Sequence, residues 1–289
     1  GSMGQGNGIP IIDGMREIAE TSDAWLVDVW GVMHNGAEAF QAAAEACATF
    51  RRQGGYVILL TNAPRPAPAV VAQITKLGVP REAYDGVLSS GDVSRGLVAS
   101  WRDKRIHHLG PARDRGIFDG LGIDFATSIE ADIVVCTGLI DDLTETPEDY
   151  ATTLSGFRRR NVAMLCANPD LMVERGDRKV YCAGALAAAY EALGGDVVYA
   201  GKPHLPIYEL AERMVRDGLG RDVPRDRLLA IGDGLKTDMA GAAAAGLRSV
   251  FVASGLHVEG RNLSPEVVSE LFSDVPKPWP IAALDALTW

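Results

Sequence analysis

Four stretches of the chain place reactive side chains directly after an apolar run. Leu26-Val27-Asp28-Val29-Trp30-Gly31-Val32 delivers a carboxylate and then a glycine where the chain can turn. Val57-Ile58-Leu59-Leu60-Thr61-Asn62 ends in a hydroxyl and an amide, groups that bond phosphate oxygens without adding charge. Ala200-Gly201-Lys202-Pro203-His204 supplies a cation, with a proline that bars the lysine from a helix interior. In Leu229-Ala230-Ile231-Gly232-Asp233-Gly234-Leu235-Lys236-Thr237-Asp238, two acids flank a glycine turn ahead of an alanine-rich segment. Singly, most have a plain alternative: Asp28 as a helix cap, Thr61-Asn62 as a turn, Lys202 as a solvated surface charge. The acid pair beside glycines reads best as a metal site. Together they supply a carboxylate, a neutral phosphate binder, a cation and metal-binding acids, which are the parts that phosphoryl transfer requires. Magnesium takes one or two carboxylates besides waters and substrate phosphate, so Asp28 and Asp233 suffice as its charged ligands, with Lys202 offsetting the excess negative charge.

Such residues must be held at the carboxyl ends of parallel strands, where open α/β sheets bind ligands. The pattern meets this need. Apolar runs predict strands at Ala24–Trp30, Tyr56–Asn62, Asp132–Cys136, Val162–Ala167, Val197–Ala200, Leu228–Ile231 and Ser249–Val252. Ala-, Leu-, Glu- and Arg-rich segments between them predict helices at Ala39–Arg52, Ala67–Lys76, Ala183–Leu193, Pro206–Arg216 and Asp238–Ala245. Strands apolar throughout predict a mostly parallel sheet covered on both faces, an α/β fold. The end of the chain, with Pro276, Pro278 and Pro280, admits little regular structure beyond a short closing helix.

Composition narrows the function classes. The chain has 289 residues, 47% hydrophobic and 23% charged, the balance of a soluble protein with a large core and more than one lobe. A formal net charge of -10 argues against nucleic acid as a partner, since that polymer needs a basic surface. No apolar run is long enough to span a bilayer, and no basic-then-apolar leader opens the sequence, so no membrane partner and a cytoplasmic location are expected. Cys47, Cys136, Cys166 and Cys182 are scattered in apolar settings and read as reduced core residues. Gly1 and Ser2 ahead of Met3 read as the remnant of a tag.

In order and spacing these residues resemble the haloacid dehalogenase superfamily, in particular its NagD-like subclass with a large cap inserted between the second and third motifs. Sugar phosphatases, 4-nitrophenylphosphatases, phosphoglycolate phosphatases and pyridoxal phosphatases belong to that subclass. The likeness runs from Asp28-Val29-Trp30-Gly31-Val32 through Asn168-Pro169-Asp170 to Gly232–Ala242, continuing to Gly246 and Ser254-Gly255. It implies a Rossmann-like core over residues 1–88 and 198–289, with an α/β cap over 89–197 that closes on the substrate and chooses it. Asp28 would be the nucleophile that forms an aspartyl-phosphate. The backbone carbonyl of Trp30 would join Asp28 and Asp233 on magnesium. Thr61, Asn62 and Lys202 would bind phosphate, and Asp238 would support the lysine or the metal shell. Asn168 and Asp170 would lie near the substrate; Arg175 and Glu174 are further candidates for choosing it.

One position departs from the family. Hydrolytic relatives carry an aspartate two residues after the nucleophile, which protonates the leaving group and then activates water; here Trp30 stands in its place. Losing such a group typically costs about a hundredfold to ten-thousandfold, so slow turnover or a substitute is expected. His34, six residues after Asp28, is the nearest substitute, against the plainer reading of a histidine that packs or bonds its loop. The expected function is magnesium-dependent hydrolysis of a small phosphorylated metabolite, by a monomer or a homodimer. Its rivals are a pseudo-enzyme that binds a phosphorylated ligand, and phosphoryl transfer or dehalogenation at the same aspartate.

Overall fold

A computed structural model of the chain describes residues 8–175, 177–254 and 262–289. Gly255, which belongs to the stretch carrying the resemblance, and the first three residues lie outside the described residues. The described strands are β1 (Ala24–Val27), β2 (Tyr56–Thr61), β3 (Gly86–Ser89), β4 (Ile106–Leu109), β5 (Ile133–Cys136), β6 (Ala163–Cys166), β7 (Met172–Arg175), β8 (Arg178–Tyr181), β9 (Val197–Tyr199), β10 (Leu228–Gly232), β11 (Arg248–Val252) and β12 (Ala282–Leu284). The helices are α1 (Gln41–Arg52), α2 (Ala67–Leu77), α3 (Ser90–Ala99), α4 (Ala151–Arg159), α5 (Ala183–Ala192), α6 (Leu205–Leu219), α7 (Ala240–Ala245) and α8 (Pro265–Leu271). The fold is α/β with mostly parallel sheets. No helix among the described residues is long and apolar enough to cross a membrane.

The chain divides into two compact units. The first comprises residues 1–61, 71–88 and 208–289; the second, 62–70 and 89–207. β9 pairs with β6 inside the second unit. Residues 62–70 also group with that unit.

The first unit is built on a sheet ordered β12-β11-β10-β1-β2-β3. β1 and β10 lie side by side in parallel, Val27 opposite Ile231, and every residue of both strands is buried. Burial on both faces is what made these runs continuously apolar. Trp25, fully buried, stacks on Phe50 of α1 with ring centroids 3.9 Å apart and donates Nε1–H to Ser22 Oγ at 3.1 Å. β1 is shorter than the apolar run. Beyond Val27 the chain curls, with Met33 N–H donating to Val29 O at 2.8 Å and Gly31 at φ +85°, so Asp28 to Trp30 form a loop.

The second unit has a parallel sheet ordered β4-β5-β6-β9 and a separate antiparallel hairpin, β7 with β8. Phe157, Leu186 and Tyr190 pack on the buried side chains of β5 and β6, closing a core of its own. The hairpin escaped the sequence pattern because Met172, Glu174, Arg175, Arg178 and Lys179 are exposed and leave no apolar period. Asp238–Ala245, expected as one helix, starts as a π-helical turn over Leu235–Met239 before α7, which ends on Gly246 at φ +72°. The proline-rich tail forms no closing helix; Ala282–Leu284 adds to the sheet edge beside Val250–Val252.

Replacing Trp25 with alanine removes a fully buried stacked ring and should cost about 3–5 kcal/mol of unfolding free energy. Denaturant titration measures this; a cost below about 1 kcal/mol would mean that the stack does not anchor β1.

Candidate active site

In the first unit the carboxylates of Asp28, Asp233 and Asp238 converge, each offering an oxygen within 4.8 Å of the others. Sheet geometry causes this. Asp28 follows β1, Asp233 follows β10, and the ladder continues one step past Val27 through Asp28 N–H to Ile231 O at 2.9 Å. Two strand ends in register therefore bring residues 205 positions apart in sequence to one point. Asp238 arrives on the π turn, where its Oδ2 accepts the Gly234 N–H at 3.0 Å. Asp28 Oδ1 accepts the Val29 N–H at 2.9 Å, which fixes its rotamer.

Two glycines leave the room these carboxylates need. A Cβ on Gly31 would lie 2.3 Å from Asp233 Oδ2, and one on Gly232 would lie 2.2 Å from Asp238 Cγ. Ser254 clamps the same loop by donating Oγ–H to Gly31 O at 2.6 Å. At an effective dielectric of about 20, like charges at such separations repel by roughly 3 kcal/mol per pair, so a divalent cation is what this donor set fits. Its all-oxygen chemistry suits magnesium.

Thr61 ends β2, nearly buried at 8% exposure. Trp30 and His34 pack together with ring centroids 5.0 Å apart, and a Cβ on Gly36 would meet the Trp30 ring at 2.6 Å. His34 is 1% exposed, and its Nδ1 accepts the Gly36 N–H at 2.9 Å. Burial holds its pKa below the usual imidazole value. With Nδ1 engaged, the neutral ring carries its proton on Nε2. This is the arrangement of a histidine that holds its loop.

The second unit gathers the other expected residues. Asn62 Oδ1 accepts the Lys202 N–H at 2.8 Å, while Nδ2 donates to Lys202 O and to Asp170 Oδ1, each at 3.0 Å. Both amide protons are thus spent within the protein. Asn62, expected to bond phosphate itself, clasps the Lys202 backbone and Asp170. Gly201 makes this fit possible, since a Cβ there would lie 2.4 Å from Asn62 Oδ1. Lys202 is 3% exposed. Asn168 turns the chain by accepting the Asp170 N–H on Oδ1 at 3.1 Å. Arg175 forks onto Asp142, and Glu174 stands exposed opposite Lys179 in the hairpin. Asp142 and Arg113 escaped the sequence reading; Asp142 lies six residues beyond the end of β5, after Asp141.

A buried chain of polar groups lies beside them. His108 Nε2 meets Thr137 Oγ1 at 2.7 Å, and Thr137 bonds Asp114, which is 4% exposed. Burial pushes the Asp114 carboxyl up to about 6, against the pull of Arg113, Thr137 and Arg65, while burial, with Arg115 and His107, lowers His108 to about 4.

Residues 25–124 match the family model described as haloacid dehalogenase-like hydrolase, and residues 199–274 match a second model of HAD-like hydrolases. A crystal structure of a haloacid dehalogenase-like family hydrolase from Brucella suis is 45% identical with a TM-score of 0.85, covering 96% of this chain and all of that one. The 5'-nucleotidase YutF of Bacillus subtilis is 25% identical, over 82% of this chain and 89% of its own length. The sugar-phosphatase AraL of the same organism is 26% identical, over 87% and 91%.

Gly31→Ala should weaken magnesium binding by at least about tenfold, because the new methyl displaces the Asp233 carboxylate and opposes a positive φ; calorimetric titration with magnesium alone reads it, and unchanged affinity would remove Asp233 from the metal site. Asp114 has a folded pKa of about 6 against 3.8 for a free carboxyl, so its contribution to stability is complete below pH 3.8 and lost as pH rises through 6. Asp114→Asn should therefore raise the thermal midpoint more at pH 8 than at pH 5; equal shifts would show that burial does not govern this group. Motifs, strand-end geometry and relatives converge: the chain belongs to the haloacid dehalogenase-like hydrolase family.

Proposed function

We propose that the chain is a magnesium-dependent phosphatase acting on a small phosphomonoester through an aspartyl-phosphate on Asp28. The observation that carries this reading is the convergence of Asp28, Asp233 and Asp238 where β1 and β10 end. A 5'-nucleotidase and a sugar-phosphatase among the relatives support a small phosphorylated metabolite as substrate. Four buried cysteines without disulfides suit a reducing compartment such as the cytosol. Residues 1–88 and 198–289 carry the chemistry, and residues 89–197 carry the contacts that choose the substrate.

Asp28, Asp233 and the Trp30 carbonyl would hold the ion. Magnesium, when bound, offsets the negative charge shared by phosphate and carboxylates. Asp28 Oδ2 attacks phosphorus while Oδ1 stays on the Val29 N–H. A P–O bond forms to Asp28, the P–O bond to the leaving group breaks, and the departing oxygen takes the electron pair. Water then attacks phosphorus and regenerates the Asp28 carboxylate. Thr61 binds the phosphate oxygens, and within the second unit Asn62 positions Lys202.

Neither Trp30, which has no acidic proton, nor His34, whose Nδ1 is engaged and whose pKa burial lowers, offers the usual proton transfer. The leaving oxygen is protonated from solvent, which favours esters with good leaving groups. A second reading, a binding module that turns over poorly, rests on the same tryptophan.

Asp28→Asn should abolish turnover across a panel of phosphate esters with magnesium, and residual activity would sink the nucleophile. Trp30→Asp should speed alkyl esters about a hundredfold or more and aryl esters less. A wild type inert on every ester yet revived by Trp30→Asp would favour the binding module.

A further inference from the structure

Ser254 stands two residues past β11 in a conformation that serine seldom takes. Its φ of +53° lies in the left-handed region, where a side chain crowds the backbone and glycine is the usual occupant. Two hydrogen bonds hold it there. Its N–H donates to Asp285 O at 2.8 Å, one step beyond the bond from Ala253 N–H to Leu284 O at 2.9 Å, and its Oγ–H donates to Gly31 O at 2.6 Å. A glycine would make this turn without strain but would bring no hydroxyl. Because Ser254 is exposed, its hydroxyl could equally bond water, so a strained backbone is not needed to satisfy it.

The strand order β11-β10-β1 puts the end of β10, and Asp233 beyond it, between the two partners of this bond. Gly31 itself lies against the carboxylate, since a Cβ on it would come within 2.3 Å of Asp233 Oδ2. The Ser254 hydroxyl therefore fastens, across the end of β10, the residue that walls one side of Asp233. The loop's own bonds, Gly31 N–H to His34 O and Met33 N–H to Val29 O, each at 2.8 Å, set its shape. Ser254 sets where that shape sits relative to β11. Ser254, Gly31, Asp28 and Asp233 all belong to the first unit.

We propose that Ser254 is a positioning residue for the metal site: by tying Gly31 to the end of β11 it holds the Asp233 carboxylate in the orientation that receives a divalent cation. The inference rests on the metal site of the phosphatase reading and adds to it a residue that acts through Gly31. A serine that merely ended the strand would contribute to stability and leave cation affinity alone.

The test is calorimetric titration of the wild type, Ser254→Ala and Ser254→Gly with magnesium chloride alone, beside thermal midpoints measured without magnesium. Both variants remove the hydroxyl, but only glycine relieves the left-handed strain, so the pair separates the bond from the backbone. Magnesium affinity should fall about threefold to tenfold in both, the range to which one hydrogen bond of ordinary strength corresponds. Ser254→Gly should show this loss with a thermal midpoint close to that of the wild type. In the metal-free protein the Gly31 amide should exchange its hydrogen faster in both variants, while the Leu26 amide in β1 keeps the wild-type rate. Ser254→Gly that binds magnesium as tightly as the wild type, or weaker binding without faster exchange at Gly31, overturns the positioning role and leaves the phosphatase reading standing. A wild type that binds no magnesium overturns the metal site, and the positioning role with it.

Discussion

Asp28, Asp233 and Asp238 repel one another, and the first unit is organised around holding them together nonetheless. A parallel ladder that keeps Val27 opposite Ile231 also commits the next residues to a shared position, so the cost of converging the charges is met by a sheet buried on both faces. The backbone steadies two of them, Asp28 through the Val29 N–H and Asp238 through the Gly234 N–H. The glycines at 31 and 232 supply space rather than flexibility, because a methyl group at either would overlap a carboxylate. A polyanionic, all-oxygen arrangement of this kind fits a divalent cation.

The same economy governs the loop after Asp28. Trp30 turns its ring onto Gly36 and the edge of His34, and His34 takes the Gly36 amide on Nδ1. These contacts form a small closed cluster that shapes the loop. The protein has exchanged an ionisable side chain for a packed one. In the proposed reaction, chemistry at Asp28 would then depend more heavily on the leaving group and on how the substrate is bound.

The second unit holds a polar cluster of its own. Asn62 spends its whole amide on the Lys202 backbone and Asp170, fixing a lysine that is almost fully buried. The Asn168 turn and the Asp142 fork extend that polar edge across the unit's strand ends. Buried amides and bidentate ion pairs are rigid, which is the property a site needs if it is to distinguish similar esters.

Asp28, Asp233 and Lys202 were legible in the sequence because each follows a continuously apolar run, and a strand end in a parallel sheet is where ligands bind. The α/β class followed from the same runs. The hairpin at 172–181 was not legible, since its exposed residues carry no apolar period, and the tail strand at Ala282–Leu284 was hidden by the prolines before it. Nor could spacing show that Asn62 gives its amide to the Lys202 backbone and Asp170, that His34 has its Nδ1 engaged, or that Arg113 and Arg175 meet at Asp142. Those facts depend on contacts between residues far apart in sequence, whose geometry only the packed chain sets. Local pattern reports which residues a strand delivers to its end; tertiary structure decides which of their donors, acceptors and charges remain available for chemistry.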